Sequence, residues 1–387
     1  MSSITVPKTF DELTPEWLTA ALRENGHLPE TGSVASLEIQ EIGIGRGYVG
    51  LTLRLIPAYA GDAGGAPVSL IAKLPTFMEF SPELQMLLDL LYSTEISWYR
   101  ELREETAART PIHYWSGVET ATHRYCLVLE DLGDLRMTDQ ISSCSIDEAR
   151  MIVRHLAKIH AAWWEHPKLK ETAWLMGPEM QGVFLTMLVQ QGWGPFWEMF
   201  GGNLVPAEFE KIGEAFAQQM PALLVKGAAS ASTLMHGDYR LENFMFGVPG
   251  SPDELVVLDW QLAGRGSGLR DLAYFLSQNL TIEMRRAHEK ELIALYRDTL
   301  AANGVEGYTA EQCYEDYRIG LLIAMWVPIS GVKQFKDLQA QGVAGLDADQ
   351  QEMFGRAMAS YEFLVRTMTE RNVSAILDNK AGEILGV

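Results

Sequence analysis

An α+β fold is expected, with a small antiparallel sheet in the first third of the chain and a mainly helical remainder. Three observations predict it. Apolar and polar residues alternate between about residues 37 and 74, as half-buried strands require. Helix-capping signals stand at Thr14 and Ser145. Beyond residue 280 the apolar spacing is helical almost to the end. The 387 residues are 47% hydrophobic and 21% charged, ample for a sizeable core and for one large or two medium domains.

The elements follow in order. Thr14-Pro15-Glu16-Trp17 supplies a capping hydroxyl and a proline at the first helical position, and Trp17, Leu18, Ala21 and Leu22 follow at helical spacing. Leu37 and Ile39 alternate with polar neighbours, as do Val49, Leu51, Leu53 and Leu55. A turn-rich loop, Gly61 to Pro67, leads into a returning strand over Val68–Leu74. From Pro82 to about Thr106 a long helix is expected, with Leu84, Leu87, Leu88, Leu91, Ile96 and Tyr99 facing inward. Tyr125–Leu129 is a short apolar strand that breaks into Glu130-Asp131-Leu132-Gly133, and the domain boundary is placed there, giving domains 1–132 and 133–387. Ser145-Ile146-Asp147-Glu148 is a capping box. It opens a helix with Ala149, Ile152, Val153, Leu156, Ile159, His160 and Trp163 on one face.

Composition narrows the function. Lysine and arginine total 31 against 51 acidic residues, a net charge of −20, so a phosphate-backbone binder is not expected, since nucleic-acid affinity rests on clustered basic residues. Cys126, Cys144 and Cys313 form no C-x-x-C pair, which suggests neither a disulfide framework nor a zinc site. The N-terminus lacks the basic start and apolar run of a signal peptide, and stretches such as Leu321–Val327 are too short for a membrane span. A soluble, cytoplasmic protein is the plain expectation.

The chemistry concentrates near residue 240. His236-Gly237-Asp238-Tyr239-Arg240-Leu241-Glu242-Asn243 precedes Phe244-Met245-Phe246; a Pro/Gly turn then leads to Leu255-Val256-Val257-Leu258 and Asp259-Trp260-Gln261. Two short apolar runs joined by such a turn predict a β-hairpin. Asn243 and Asp259 flank it, so folding should bring an amide oxygen and a carboxylate to one end, with Asp238 just upstream. Hard oxygen ligands of this kind suit Mg²⁺, which completes its octahedron with water and phosphate oxygens. The implied chemistry is phosphoryl transfer, in which an aspartate orients the attacking hydroxyl.

H-G-D-x-x-x-x-N followed by an aspartate 16 residues later resembles the aminoglycoside phosphotransferase and choline kinase group, whose fold is that of the protein kinases. Leu127–Leu132, Asp259-Trp260-Gln261, Asp271–Leu276 and the opening Leu13–Leu18 are similar to its ecdysteroid kinase-like branch. The resemblance runs over roughly residues 10–330. It implies a two-lobed kinase-like fold with a nucleotide-binding N-terminal lobe and a catalytic, substrate-binding C-terminal lobe. It also implies ATP- and Mg²⁺-dependent phosphorylation of a hydroxyl on a small molecule. By the same resemblance Asp238 is the catalytic aspartate, and Asn243 and Asp259 hold Mg²⁺. Lys73 in Leu70-Ile71-Ala72-Lys73 contacts the α- and β-phosphates. Glu95, in Glu95-Ile96-Ser97-Trp98-Tyr99, is its helix partner, with Glu101 the alternative. Gly45 and Gly47 belong to the phosphate loop, glycines there letting the backbone approach the phosphates closely. Glu130 to Leu132 form the hinge that offers backbone groups to adenine, and Asp271 braces the catalytic loop from behind.

The departures also carry information. Gly237 stands where a protein kinase has arginine, Trp-Gln follows Asp259, and no A-P-E occurs nearby, so a polypeptide substrate is not expected. The acceptor stays open among a lipophilic or sterol-like alcohol, an aminoglycoside, a choline-like amine and a hydroxyacyl compound. GTP is the alternative donor, and a nucleotide-binding pseudokinase is the alternative of another class. His155 and His160 lie five apart, not at the spacing of a zinc helix. Trp163, Trp164, Trp174, Trp193 and Trp197 suit either helix packing or an apolar acceptor pocket. Arg265 and Arg270 either touch phosphate or substrate, or serve the surface or the fold.

Overall fold

The computed structural model describes residues 4–42, 50–75, 82–133, 135–230, 232–342 and 348–387. The chain divides into two compact units. The first comprises Met1–Glu105, Arg109–Leu135 and Val256–Leu262; the second comprises Thr106–Ala108, Arg136–Leu255 and Ala263–Val387. The expected sheet-rich beginning and helical remainder are both found.

The first unit is built on helix α1 (Pro15–Glu24), strands β1 (Gly32–Ile42), β2 (Gly50–Gly61) and β3 (Leu70–Pro75), helix α2 (Pro82–Glu101), and strands β4 (His113–Glu119) and β5 (Arg124–Glu130). The five strands form one antiparallel sheet in the order β1-β2-β3-β5-β4. Helix α1 starts as the sequence predicts: Thr14 Oγ1 accepts from the Trp17 amide, and Pro15 occupies the first turn, where its missing N–H costs nothing. Its buried face, Leu18, Ala21 and Leu22, packs into a core with Leu53, Leu55, Leu70, Ala72, Trp115 and Val128. Alternation along β3 buries Leu70, Ala72 and Leu74 and turns Lys73 to the other face. The strand begins at Leu70, two residues later than expected, and Val68 is exposed. On α2, Leu88, Ile96 and Tyr99 are buried, together with Trp98.

The second unit contains α3 (Ile146–Ala162), α4 (Lys168–Glu171), α5 (Pro178–Phe200), α6 (Phe209–Ser230), β6 (Thr233–Met235) and β7 (Phe244–Phe246). The chain crosses into the first unit within β8 (Leu255–Val257) and returns for β9 (Gly264–Gly266) and helices α7 (Leu269–Asn279), α8 (Ile282–Ala302), α9 (Ala310–Ala324), α10 (Trp326–Gln341) and α11 (Ala348–Asp378). The capping box of α3 forms in full, Ser145 and Glu148 each satisfying the other's backbone amide. The predicted turn after Phe246 is closed by the Gly247 amide, which donates to the Glu254 carbonyl.

Helix α7 lies at the centre of this unit. Every residue but Arg270 is buried, and α9, α8 and α11 surround it. Arg371 on α11 donates to the carbonyls of Gln278 and Asn279 at its C-terminal end. That contact satisfies acceptors that helix ends otherwise leave open. A rigid α7 is what makes Asp271, on its first turn, a fixed point for the loop described next.

Candidate active site

In the first unit, β3 delivers Lys73 and α2 delivers Glu95. Lys73 Nζ lies 2.7 Å from Glu95 Oε1 and 3.7 Å from Asp259 Oδ1. Glu95 is the helix partner. The Glu95 side chain is 6% exposed, Asp259 25% and Lys73 31%. Burial works against the Lys73 charge, but Asp259 and Glu95 outweigh it and hold the ammonium above its usual range.

Asp259 is held by its neighbour. Trp260 is fully buried and stacks on Trp98 of α2, with centroids 3.9 Å apart and planes 6° from parallel. Glu95 and Trp98 are one helical turn apart on α2, so the stack that anchors Trp260 also places Asp259 beside the Lys73–Glu95 pair. Asp259 itself is left-handed, φ 62°, a conformation that costs most residues energy and that Asp tolerates better than most. Its Oδ2 is 3.4 Å from Gln261 Nε2, whereas its Oδ1 is buried with no hydrogen-bond donor. What compensates that oxygen is the Lys73 ammonium at 3.7 Å.

The segment after β5 is locally pinned. Arg109 grips Glu130 with two hydrogen bonds of 2.8 Å, and the Ile112 amide donates to Glu130 Oε2 at 3.0 Å. The Glu130 amide donates to the Ile112 carbonyl and the Leu135 amide to the Leu132 carbonyl. Asp131 pairs with Arg54 at 2.7 Å, which keeps its carboxyl below the usual range although burial pulls the other way. Gly45 and Gly47 lie outside the described residues.

In the second unit, β6 feeds directly into His236-Gly237-Asp238. Asp271, 2% exposed, accepts from the His236 amide at 2.7 Å and the Gly237 amide at 3.0 Å. His160 Nε2 is 3.4 Å from the same carboxylate, and its Nδ1 is 2.7 Å from the Tyr296 hydroxyl. Burial would raise the Asp271 pKa; the contacts from His160 and His236 overcome it and hold the carboxyl below the usual range. Gly237 turns the chain at φ 84°, the left-handed region that favours glycine.

Beyond that turn, Asn243 Nδ2 donates to the Asp238 carbonyl at 2.9 Å and to Asp238 Oδ2 at 3.0 Å. Arg240 Nε is 3.1 Å from the same oxygen. The amide of Asn243 is thereby oriented with its nitrogen on Asp238. The loop is fastened at two more points: the Leu241 amide donates to Asn279 Oδ1, and the Gln140 amide to Glu242 Oε1. Burial, then the Asp238 charge, pushes the Tyr274 phenol well above its usual pKa.

The two units thus gather the predicted residues into two clusters: Lys73, Glu95 and Asp259 in one, Asp238 and Asn243 in the other. Sequence reasoning missed Arg109, Arg240, His160 and Tyr274. Arg240 had a signal, standing two residues past Asp238; His160 had none. Among the described residues, no group of three or more histidine, cysteine, aspartate or glutamate side chains converges to hold a metal unaided, and no helix is long and apolar enough to cross a membrane.

Comparison with known proteins adds the family. Residues 45–304, more than half of the chain, match the model of the ecdysteroid kinase-like family. No curated protein matches the sequence. Among solved structures, a GDP complex of an aminoglycoside 2'-phosphotransferase IIIa variant is 12% identical, with a TM-score of 0.51 over 85% of this chain and 93% of that one. A choline kinase from Cryptosporidium parvum Iowa II is 10% identical, with a TM-score of 0.50 over 92% of this chain and 96% of its own. At such identities these likenesses speak for the kinase-like fold. The family match carries the rest: the chain belongs to the ecdysteroid kinase-like family and is a small-molecule kinase.

Proposed function

We propose that the chain transfers a phosphoryl group from Mg²⁺·ATP to a hydroxyl of a small molecule, in the cytoplasm. The observation that carries this reading is Asp259 Oδ1, a buried oxygen with no hydrogen bond whose one compensating charge, the Lys73 ammonium at 3.7 Å, is shared with Glu95. A divalent cation would satisfy that oxygen, and the hard-oxygen donor set of Asp259 and Asn243 fits Mg²⁺. When bound, the ion would neutralise charge on the phosphates.

The chain's own residues have distinct tasks. Asp259 and Asn243 hold the metal, the latter through the amide oxygen left when its nitrogen bonds Asp238. Lys73, steadied by Glu95, binds the α- and β-phosphates. Backbone groups from Glu130 to Leu132 receive the adenine. Asp238 orients the acceptor hydroxyl and takes its proton, while Asn243 and Arg240 fix its carboxylate. Catalysis is positioning plus electrostatic stabilisation, with no covalent enzyme intermediate.

The test is the thermal shift of the protein with ATP, GTP and ADP, each with and without Mg²⁺, since a ligand that binds the folded state raises its melting temperature. A Mg²⁺-dependent shift with ATP, lost in Asp259→Asn, is expected. It would be followed by ADP release across sterol-like alcohols, aminoglycosides, choline-like amines and hydroxy acids. Absence of a shift with every nucleotide would sink the reading, and a Mg²⁺·ATP shift without ADP release from any acceptor would favour the nucleotide-binding pseudokinase.

A further inference from the structure

In a chain with a net charge of −20, Arg265 and Arg270 of the second unit have no acidic side chain paired with them among the described residues. Arg265 is the middle residue of β9. Its backbone is pinned on both sides: the amide donates to the Met176 carbonyl at 2.9 Å, and the carbonyl accepts from Gln181 Nε2 at 3.3 Å. Its half-buried guanidinium has no ion pair or hydrogen bond among the described residues. Instead it lies against the backbone of Gly177, where a Cβ would stand 2.4 Å from Nη2 and 2.5 Å from Cζ. Only glycine leaves room for it.

Arg270, on the first turn of α7, touches Gln181 Oε1 through Nη1, and its Nε is buried without a partner. Burial, opposed only by the charge of Asp271, pulls this guanidinium down to about 10. Asp271 accepts from the His236 and Gly237 amides and makes no ion pair with Arg270 among the described residues. Gln181, itself buried, links the pair by accepting from Arg270 while donating to the Met176 and Arg265 carbonyls. The result is two guanidiniums, one against the Gly177 backbone and one with a buried unpartnered Nε, and no ion pair to either among the described residues. A partly buried cation in that state favours an anion that restores the missing charge, and guanidinium forks suit carboxylate and phosphate oxygens.

The position is close to the reaction centre proposed above. Arg265 pairs with Leu234 across β6 and β9, and Leu234 precedes Asp238 by four residues, at most about 14 Å of extended chain. We infer that Arg265 and Arg270 form an oxyanion subsite for a carboxylate or phosphate group carried by the acceptor, so that the substrate class is an anionic hydroxyl compound; this rests on the phosphotransferase reading.

Sulfate is the probe for the subsite, titrated calorimetrically at ionic strength held constant with chloride and with saturating ADP present. Wild type should bind sulfate, Arg265→Gln and Arg270→Gln should lose at least about tenfold in affinity, and Arg265→Lys should lose less. The Mg²⁺·ATP thermal shift of Arg265→Gln should equal that of wild type, which shows that the variant folds. A wild type without any nucleotide shift would defeat the phosphotransferase reading; a normal nucleotide shift with sulfate binding no tighter than chloride would defeat this inference alone. Hydroxy acids and their methyl esters then separate an acceptor's group from a free anion. The acids should displace sulfate and show a KM at least about tenfold below their esters, a difference erased in Arg265→Gln with little change in kcat. Sulfate that no hydroxy acid displaces, or esters that match the acids, would overturn the acceptor role.

Discussion

Replacing Asp271 by asparagine tests how the catalytic loop is held. The carboxylate accepts two backbone N–H groups, from His236 and Gly237, at 2.7 and 3.0 Å in a site that is 2% exposed. Asparagine keeps one acceptor but turns an NH₂ group toward the other donor, and it removes the charge that strengthens both bonds. Hydrogen bonds to a charged group contribute about 1.5–3 kcal/mol each, and a buried donor left unsatisfied costs about 1–3 kcal/mol. The variant should therefore weaken the loop's attachment by about 2–4 kcal/mol. The direct assay is hydrogen exchange at the His236 and Gly237 amides, which should accelerate about 30- to 700-fold. The pH dependence gives a second check. A carboxyl held below its unfolded pKa of about 3.9 stabilises the fold above that value and ceases to do so as pH falls through the lower folded value. The wild-type advantage should thus be full at pH 7 and shrink below about pH 4. A gap under about 0.5 kcal/mol that does not change with pH would refute the brace.

Three further predictions concern the clusters themselves. Asp238→Asn should lower ADP release by about 10²–10⁴-fold while leaving the Mg²⁺·ATP shift intact; a variant with near-normal turnover would remove Asp238 from the chemistry. Lys73→Met leaves Glu95 and Asp259 facing each other without their shared cation. Because Lys73 and Asp259 are partly exposed, the loss in urea unfolding should be about 1–3 kcal/mol, accompanied by loss of the nucleotide shift. Trp260→Ala removes a fully buried ring stacked on Trp98 and should cost about 3–5 kcal/mol, visible in the melting temperature and the near-ultraviolet circular dichroism.

What could be read in the sequence was mostly what local rules govern. The caps at Thr14 and Ser145 are decided by side chains within three residues of the helix start, and both form. Lys73 could be placed on a strand because alternation over Leu70–Leu74 fixes which side chains share a face. Strand β4 was not expected: Pro111 stands just ahead of it and Gly117 lies within it, which breaks the alternation, and its pairing with β5 depends on tertiary contacts. The left-handed backbone at Asp259 was equally invisible, since aspartate does not announce a positive φ as glycine does. His160 looked like one apolar-face residue among several. Its place behind Asp271 arises only because α3 and α7 pack in one unit, and such long-range meetings carry no local pattern.

The short stretch Val256–Leu262 belongs to the first unit although the chain reaches it only after Arg136–Leu255 of the second. On a ribosome this means that the first unit cannot finish folding when its strands emerge. Roughly 120 residues must still be translated, about 6–24 s at 5–20 residues per second, before Trp260 can close over Trp98. Until then Trp98 on α2 lies uncovered and Lys73 lacks its second carboxylate, exposed apolar surface of the kind that chaperones take. A fragment cut after residue 135 would be frozen in that unfinished condition, so separate expression of the two halves requires grafting residues 256–262 onto the first. Under the proposed assignment a half-made chain also lacks the carboxylate of Asp259, and premature turnover of nucleotide during synthesis is thereby prevented by the order of the sequence itself.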